Sequence, residues 1–308
     1  MSGALSALAP VFLTIALGYV LRVRGLLGEE FWRRAEWLVF WVLFPAMLFT
    51  KIAGVAVVWA DMGSLALVIL LGIGGTGLLT VPLRRVGGLS GEAFTAVFQG
   101  ATRPNSYVGI AAALAFFGDD AIAATAVALA VIAPLINIMG VIAHVLWVPA
   151  ADGAAGRNAR AAFLSLFKNP IVISTVGGAI WNMAGLPLPP LIGPTLEILG
   201  SASLPLALMA VGAGLMPASL KARGGAILGS TVLKLALMPT LTLAAAHVLG
   251  VTGMERAVAL MFTAIPTSST AYVISRQMGS DAELMAGIIT GTTLVAAITL
   301  PLTLAWLI

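Results

Sequence analysis

The stretch "ATRPNSYVGI", Ala101–Ile110, sets an arginine, a proline and an asparagine side by side inside a run of apolar residues. A permanent charge, a helix breaker and an amide are each costly in a helix that crosses lipid. Together they imply that the helix stops there, with its loose ends facing protein or a water-filled cavity.

The rest of the chain requires lipid around that stretch. Its 308 residues are 60% hydrophobic and 9% charged, with a mean hydropathy of +1.07. A soluble domain carries about 25% charged residues. Apolar runs of helical length recur from end to end, which points to helices and not to the shorter alternations of a barrel. The expected fold class is therefore an all-α polytopic membrane protein. Ten spans, near 5–22, 37–55, 63–83, 93–116, 121–148, 169–184, 198–217, 226–249, 256–276 and 284–307, give the simplest division.

Charge placement tests the division. Alternate loops assign Arg22, Arg24, Arg33, Arg34, Arg84, Arg85, Arg157, Arg160, Lys168, Lys221, Arg223 and Arg276 to one face, and only Lys51 and Arg256 to the other. The basic face is expected to be cytoplasmic, with both termini outside. The net charge of +4 thus reads as a topology signal, and no nucleic-acid partner is expected. The first apolar run is followed, not preceded, by arginines, so it reads as a membrane helix and not as a cleaved signal.

The two halves share their punctuation. Pro10, Gly18, Gly25 and Pro45 recur as Pro170, Gly178, Gly185 and Pro205, each 160 positions on. Pro104 answers Pro266, and "GDDA" at Gly118–Ala121 answers "GSDA" at Gly279–Ala282. Five spans per half invert the second half relative to the first. The expected organisation is a first five-helix repeat over 1–150, a cytoplasmic linker over 151–168 and an inverted repeat over 169–308. Inverted repeats with interrupted helices in matching places point to a secondary transporter whose site lies near the midplane.

The interruptions are "TRPNSYVG" and "IPTSSTAYV". Pro104 and Pro266 remove backbone donors, and a half-helix that restarts beyond each would offer free N–H groups and a positive dipole end. Candidate substrate contacts are Arg103, Asn105, Ser106, Tyr107, Thr267, Ser268, Ser269 and Lys234, with Pro104 and Pro266 at the crossover. Lys234 also fits a snorkelling residue near the basic face. Every Asp and Glu falls in a loop or near an expected span end, which disfavours a carrier or hydrolase built on buried acids. No cysteine is present, and His144 and His247 have no neighbours at ligand spacing, so no metal site is expected.

On these residues the chain resembles the auxin efflux carrier family, whose bacterial members include malonate and malate permeases. "PVFLTIALGYVLRVRGLL" and "LVFWVLFPAMLFTKIAG" are similar to the family's opening helices, "RPNSYVGI" to its fourth, and "AIPTSSTAYVISRQMGSD" with "TGTTLVAAITLP" to its last two. The resemblance implies ten helices in two inverted repeats, with the fourth and ninth crossing at their breaks, as in the bile acid symporter architecture. It implies a scaffold of helices one, two, six and seven, and transport of small organic anions across the inner membrane. It further implies an asparagine at each crossover helix. Asn105 matches the first, and hydroxyls in "PTSST" replace the second. A homodimer is a further expectation. Coupling to sodium or to protons is left open, with Thr292 and Thr293 as candidate cation ligands beside freed carbonyls. An intramembrane enzyme or sensor is the distant alternative, since no nucleophile with a paired base is evident.

Overall fold

The computed structural model describes residues 2–54, 62–148, 170–221 and 223–307. Among them the chain is helical throughout, with no strand beyond one isolated bridge. The expected linker over 151–168, with Arg157, Arg160 and Lys168, lies outside the described residues.

The first half comprises α1 (Ser2–Val23), α2 (Glu29–Leu38), α3 (Phe44–Gly54), α4 (Met62–Thr80), a single turn α5 (Leu83–Val86), α6 (Gly91–Thr102), α7 (Ser106–Phe117) and α8 (Ile122–Trp147). The second comprises α9 (Pro170–Met183), α10 (Ile192–Ser201), α11 (Ser203–Ala213), α12 (Gly224–Val232), α13 (Met238–Val248), α14 (Gly253–Ala264), α15 (Thr270–Met278) and α16 (Ala282–Leu307). Wide π turns at Val39–Leu43 and Leu233–Leu237 join α2 to α3 and α12 to α13. Each precedes a proline, Pro45 or Pro239, whose missing N–H breaks the regular ladder.

Seven helical stretches among the described residues are long and apolar enough to cross a membrane. Ten were expected, and the interrupted helices fall short of the length a span needs. A 12-residue piece such as α6 or α14 rises only about 18 Å, short of the roughly 30 Å hydrocarbon core, because its helix is interrupted.

Helix ends follow from sequence. Gly25 and Gly185 close α1 and α9 with φ of 68° and 64°, and Gly118 and Gly279 follow α7 and α15 with φ of 66° and 77°. Only glycine takes such angles without strain. The second span starts at Glu29, not near residue 37, so Glu36 lies two turns inside a continuous helix. Glu29 and Glu30 favour a start there by complementing the helix dipole, and Trp32 and Ala35 provide a buried face.

Packing relies on small residues. α1 runs along α11, α3 along α9, and α4 along α13 and α8. In the first pair, a Cβ on Gly18 would lie 1.9 Å from the Met209 carbonyl oxygen and one on Gly212 1.7 Å from that of Ile15. Lipid supplies no hydrophobic drive between helices, so such close backbone approach is what binds them. At the same interface Arg22 Nη1 donates to the Ala213 and Leu215 carbonyls at 2.8 and 3.3 Å, closing the open end of α11.

Candidate functional site

Two interrupted helices meet in the interior. α6 ends at Thr102, and Arg103 turns extended with φ −104° and ψ 92°. α7 restarts at Ser106, with Asn105 as its N-cap. In the second half α14 ends at Ala264, Ile265 is extended, and α15 restarts at Thr270. The two gaps pair antiparallel through Pro104 and Thr267. Asn105 N–H donates to the Pro266 carbonyl at 2.9 Å, and Ser268 N–H to the Arg103 carbonyl at 3.0 Å. Each gap thereby satisfies part of the other's backbone, as buried chain requires.

The prolines leave work for side chains. Pro104 cannot serve the Gly100 carbonyl one turn back, so Thr267 Oγ1 donates to it instead, at 2.7 Å. Thr267 N–H bonds Thr292 Oγ1 at 3.2 Å, which frees the Thr263 carbonyl; Lys234 Nζ takes that carbonyl at 3.3 Å.

A cavity of about 220 Å³ opens beside the pairing, lined by Arg103, Pro104, Ser106, Tyr107, Asn137, Ser268 and Thr270, with Phe40, Ala133, Ile136, Ile171 and Ile274 as its apolar wall. At about 30 Å³ per water it is sized for a small molecule. Arg103 is 7% exposed, and its Nη2 donates to Asn137 Oδ1 at 2.8 Å. Its Nε has no partner, and no ion pair involves it among the described residues. A buried guanidinium without a carboxylate has donors to spare and an uncompensated charge. Ser268 and Thr270 share a hydroxyl contact of 2.9 Å, and Tyr107 is fixed by stacking on Phe44 at 4.8 Å.

The other candidates sit apart from this lining. Asn105 is fully buried: its Oδ1 caps α7 by accepting from the N–H groups of Tyr107 and Val108 at 3.1 and 3.3 Å, and its Nδ2 has no partner. Thr267 is also fully buried, with its hydroxyl spent on Gly100. Ser269 faces a second cavity, of about 200 Å³, on the other side of α15, with Tyr272, Arg22, Arg33, Arg276, Glu29 and Glu36. Lys234 does not snorkel; it is fully buried and donates to Met238 Sδ and the Thr263 carbonyl. The Thr292 and Thr293 hydroxyls donate to carbonyls of their own helix, and neither lines a cavity described above.

Asn137 and Gln99 were not among the candidates. Asn137 holds Arg103, and both polar atoms of the Gln99 amide are buried without partners. Each is an amide inside an apolar span, the signal that drew attention to Asn105.

Comparison with known proteins points to membrane transport. Residues 156–304 match the family model described as "Membrane transport protein", that of the auxin efflux carriers. In an alignment of 308 positions that covers 97% of this chain and 97% of the relative, the sequence is 23% identical to an "Uncharacterized transporter" of Methanothermobacter thermautotrophicus strain Delta H. The likeness of the second half, which includes the gap at Pro266, is thus to membrane transport proteins, in line with the resemblance carried by the sequence motifs.

Proposed function

We propose that the protein is a secondary transporter of small organic anions, working by alternating access around the paired gaps. The observation that carries this reading is Arg103, a buried guanidinium with no carboxylate partner that lines the cavity at the crossover. Its missing counter-charge is the substrate's carboxylate, oriented by Ser106, Ser268 and Thr270. Asn105 acts from behind, by holding the start of α7. The cavities on opposite faces of α15, one reached by Ser268 and the other by Ser269, support a substrate path that crosses this helix.

The same reading takes the chain as ten spans in two inverted five-helix repeats. Matched glycines with positive φ and matched gaps at Pro104 and Pro266 support it. The pairing of α1 with α11 and α3 with α9, apart from that of α4 with α8 and α13, supports a scaffold group and a moving group. The basic loops face the cytoplasm, and both termini lie outside.

Uptake into proteoliposomes of a panel of labelled carboxylates, beside an organic cation and a neutral sugar, tests the reading. Saturable flux of one or more carboxylates is expected. Flux of the cation or sugar with none of any acid overturns it.

A further inference from the structure

The interrupted helices pose an electrostatic problem that an anion site must solve. Each restart presents a positive N-terminus, but each ending half-helix presents a negative carbonyl end to the same region. At the end of α6 the basic group is Arg103, its C-cap residue. At the end of α14 the Thr263 carbonyl has lost its usual donor, Thr267 N–H, to Thr292. Four residues after Phe262, where a continuing helix would supply its carbonyl with a donor, stands Pro266, which has no N–H.

Lys234 stands at that end. It comes from the π turn between α12 and α13, is fully buried, and reaches the Thr263 carbonyl at 3.3 Å. Its Nζ also reaches the Met238 thioether at 3.3 Å, and no ion pair involves it among the described residues. A lysine buried without an acid is expensive, so its place beside freed carbonyls is informative. A bound metal cation would do the same electrostatic work there with oxygen ligands.

We infer that Lys234 is a resident cation that neutralises the carbonyl end of α14, so that the anion site functions without a coupling sodium ion. Lys234 is a positioning residue: it touches the broken helix and not the substrate. The inference rests on the organic-anion reading for its effect on affinity, but its cation arm stands alone.

The test uses the purified full-length protein in detergent, with sodium chloride replaced stepwise by choline chloride at constant ionic strength. Melting temperature and the affinities for benzoate and malonate are measured in each. The wild type is expected to melt at one temperature, and to bind whichever probe it binds equally well, with or without sodium. Lys234→Met is expected to weaken anion binding about tenfold, the scale of a helix-end charge, while Lys234→Arg retains it. A wild-type melting temperature or affinity that rises with sodium overturns the inference, as does wild-type affinity in Lys234→Met. Should Lys234→Met fail to fold, the wild-type sodium response and Lys234→Arg decide. Failure of both probes to bind the wild type counts against the organic-anion reading, while the sodium dependence of melting still judges Lys234.

Discussion

Thr267 Oγ1 donates at 2.7 Å to the carbonyl of Gly100, the acceptor stranded by Pro104 one turn further along the chain. A proline in one half of the chain is thus answered by a hydroxyl from the other. Thr267→Val keeps the shape and removes the donor, leaving a buried carbonyl unpaired at a cost of about 1–3 kcal/mol. Thermal unfolding in detergent is expected to show a lower melting temperature for Thr267→Val and a near-normal one for Thr267→Ser. Equal melting of all three would contradict the assigned bond.

Asn105 separates capping from ligand contact. Its oxygen holds two N–H groups at the start of α7, and loss of such a cap costs about 0.5–2 kcal/mol. Asn105→Ala is therefore expected to lower both stability and flux. Asn105→Asp keeps the cap acceptor but adds a negative charge at a fully buried position beside the gap. It is expected to lose carboxylate flux more completely than Asn105→Ala, as measured in proteoliposomes.

Asn137 offers a sharper contrast, because it already holds the Arg103 guanidinium. Asn137→Ala frees that group and is expected to weaken anion binding moderately. Asn137→Asp would give Arg103 a built-in carboxylate and satisfy its charge internally. Titration calorimetry is expected to find little or no binding in Asn137→Asp, with Asn137→Ala intermediate. Tighter binding by Asn137→Asp than by Asn137→Ala would be inconsistent with Arg103 as the anion's partner.

Glycine substitutions test the packing. At Gly212 a Cβ would fall 1.7 Å from the Ile15 carbonyl oxygen, whereas at Gly74 nothing lies within 4 Å. Gly212→Ala is expected to separate α1 from α11 and sharply reduce the yield of folded protein. Gly74→Ala, in an open helical position, is expected to be neutral or to stabilise by up to about 1 kcal/mol. Size-exclusion profiles and melting curves of the two variants provide the comparison.

Those residues also show what sequence could and could not reveal. Pro104 and Pro266 were readable because a proline's missing N–H acts the same way wherever the chain goes. The membrane class was readable from composition for a similar reason. The partners of the freed carbonyls were not readable, since Thr267 serves Gly100 across 167 positions of sequence. Asn105 read as a ligand because an amide beside a gap suits a cap and a substrate contact equally. Lys234 reads in sequence as a substrate contact or a snorkelling residue, because burial between α12 and α13 depends on tertiary packing, which hydropathy does not encode. Glu36 was placed at a span end because the polar first turns of α2 hid a helix whose buried face is narrow. Asn137 differs from these. It is an amide three residues after Pro134 in an apolar helix, and the rule applied to Asn105 would have found it.

In the proposed mechanism the unpaired charge of Arg103 attracts the substrate's carboxylate. Counterflow of a labelled carboxylate by wild type, Arg103→Lys and Arg103→Gln in proteoliposomes, matched for inserted and folded protein, tests it most directly. Arg103→Gln is expected to reduce flux at least about a hundredfold, the loss of a buried charge-assisted contact, with Arg103→Lys between it and wild type. Undiminished carboxylate flux in folded Arg103→Gln would contradict the claim.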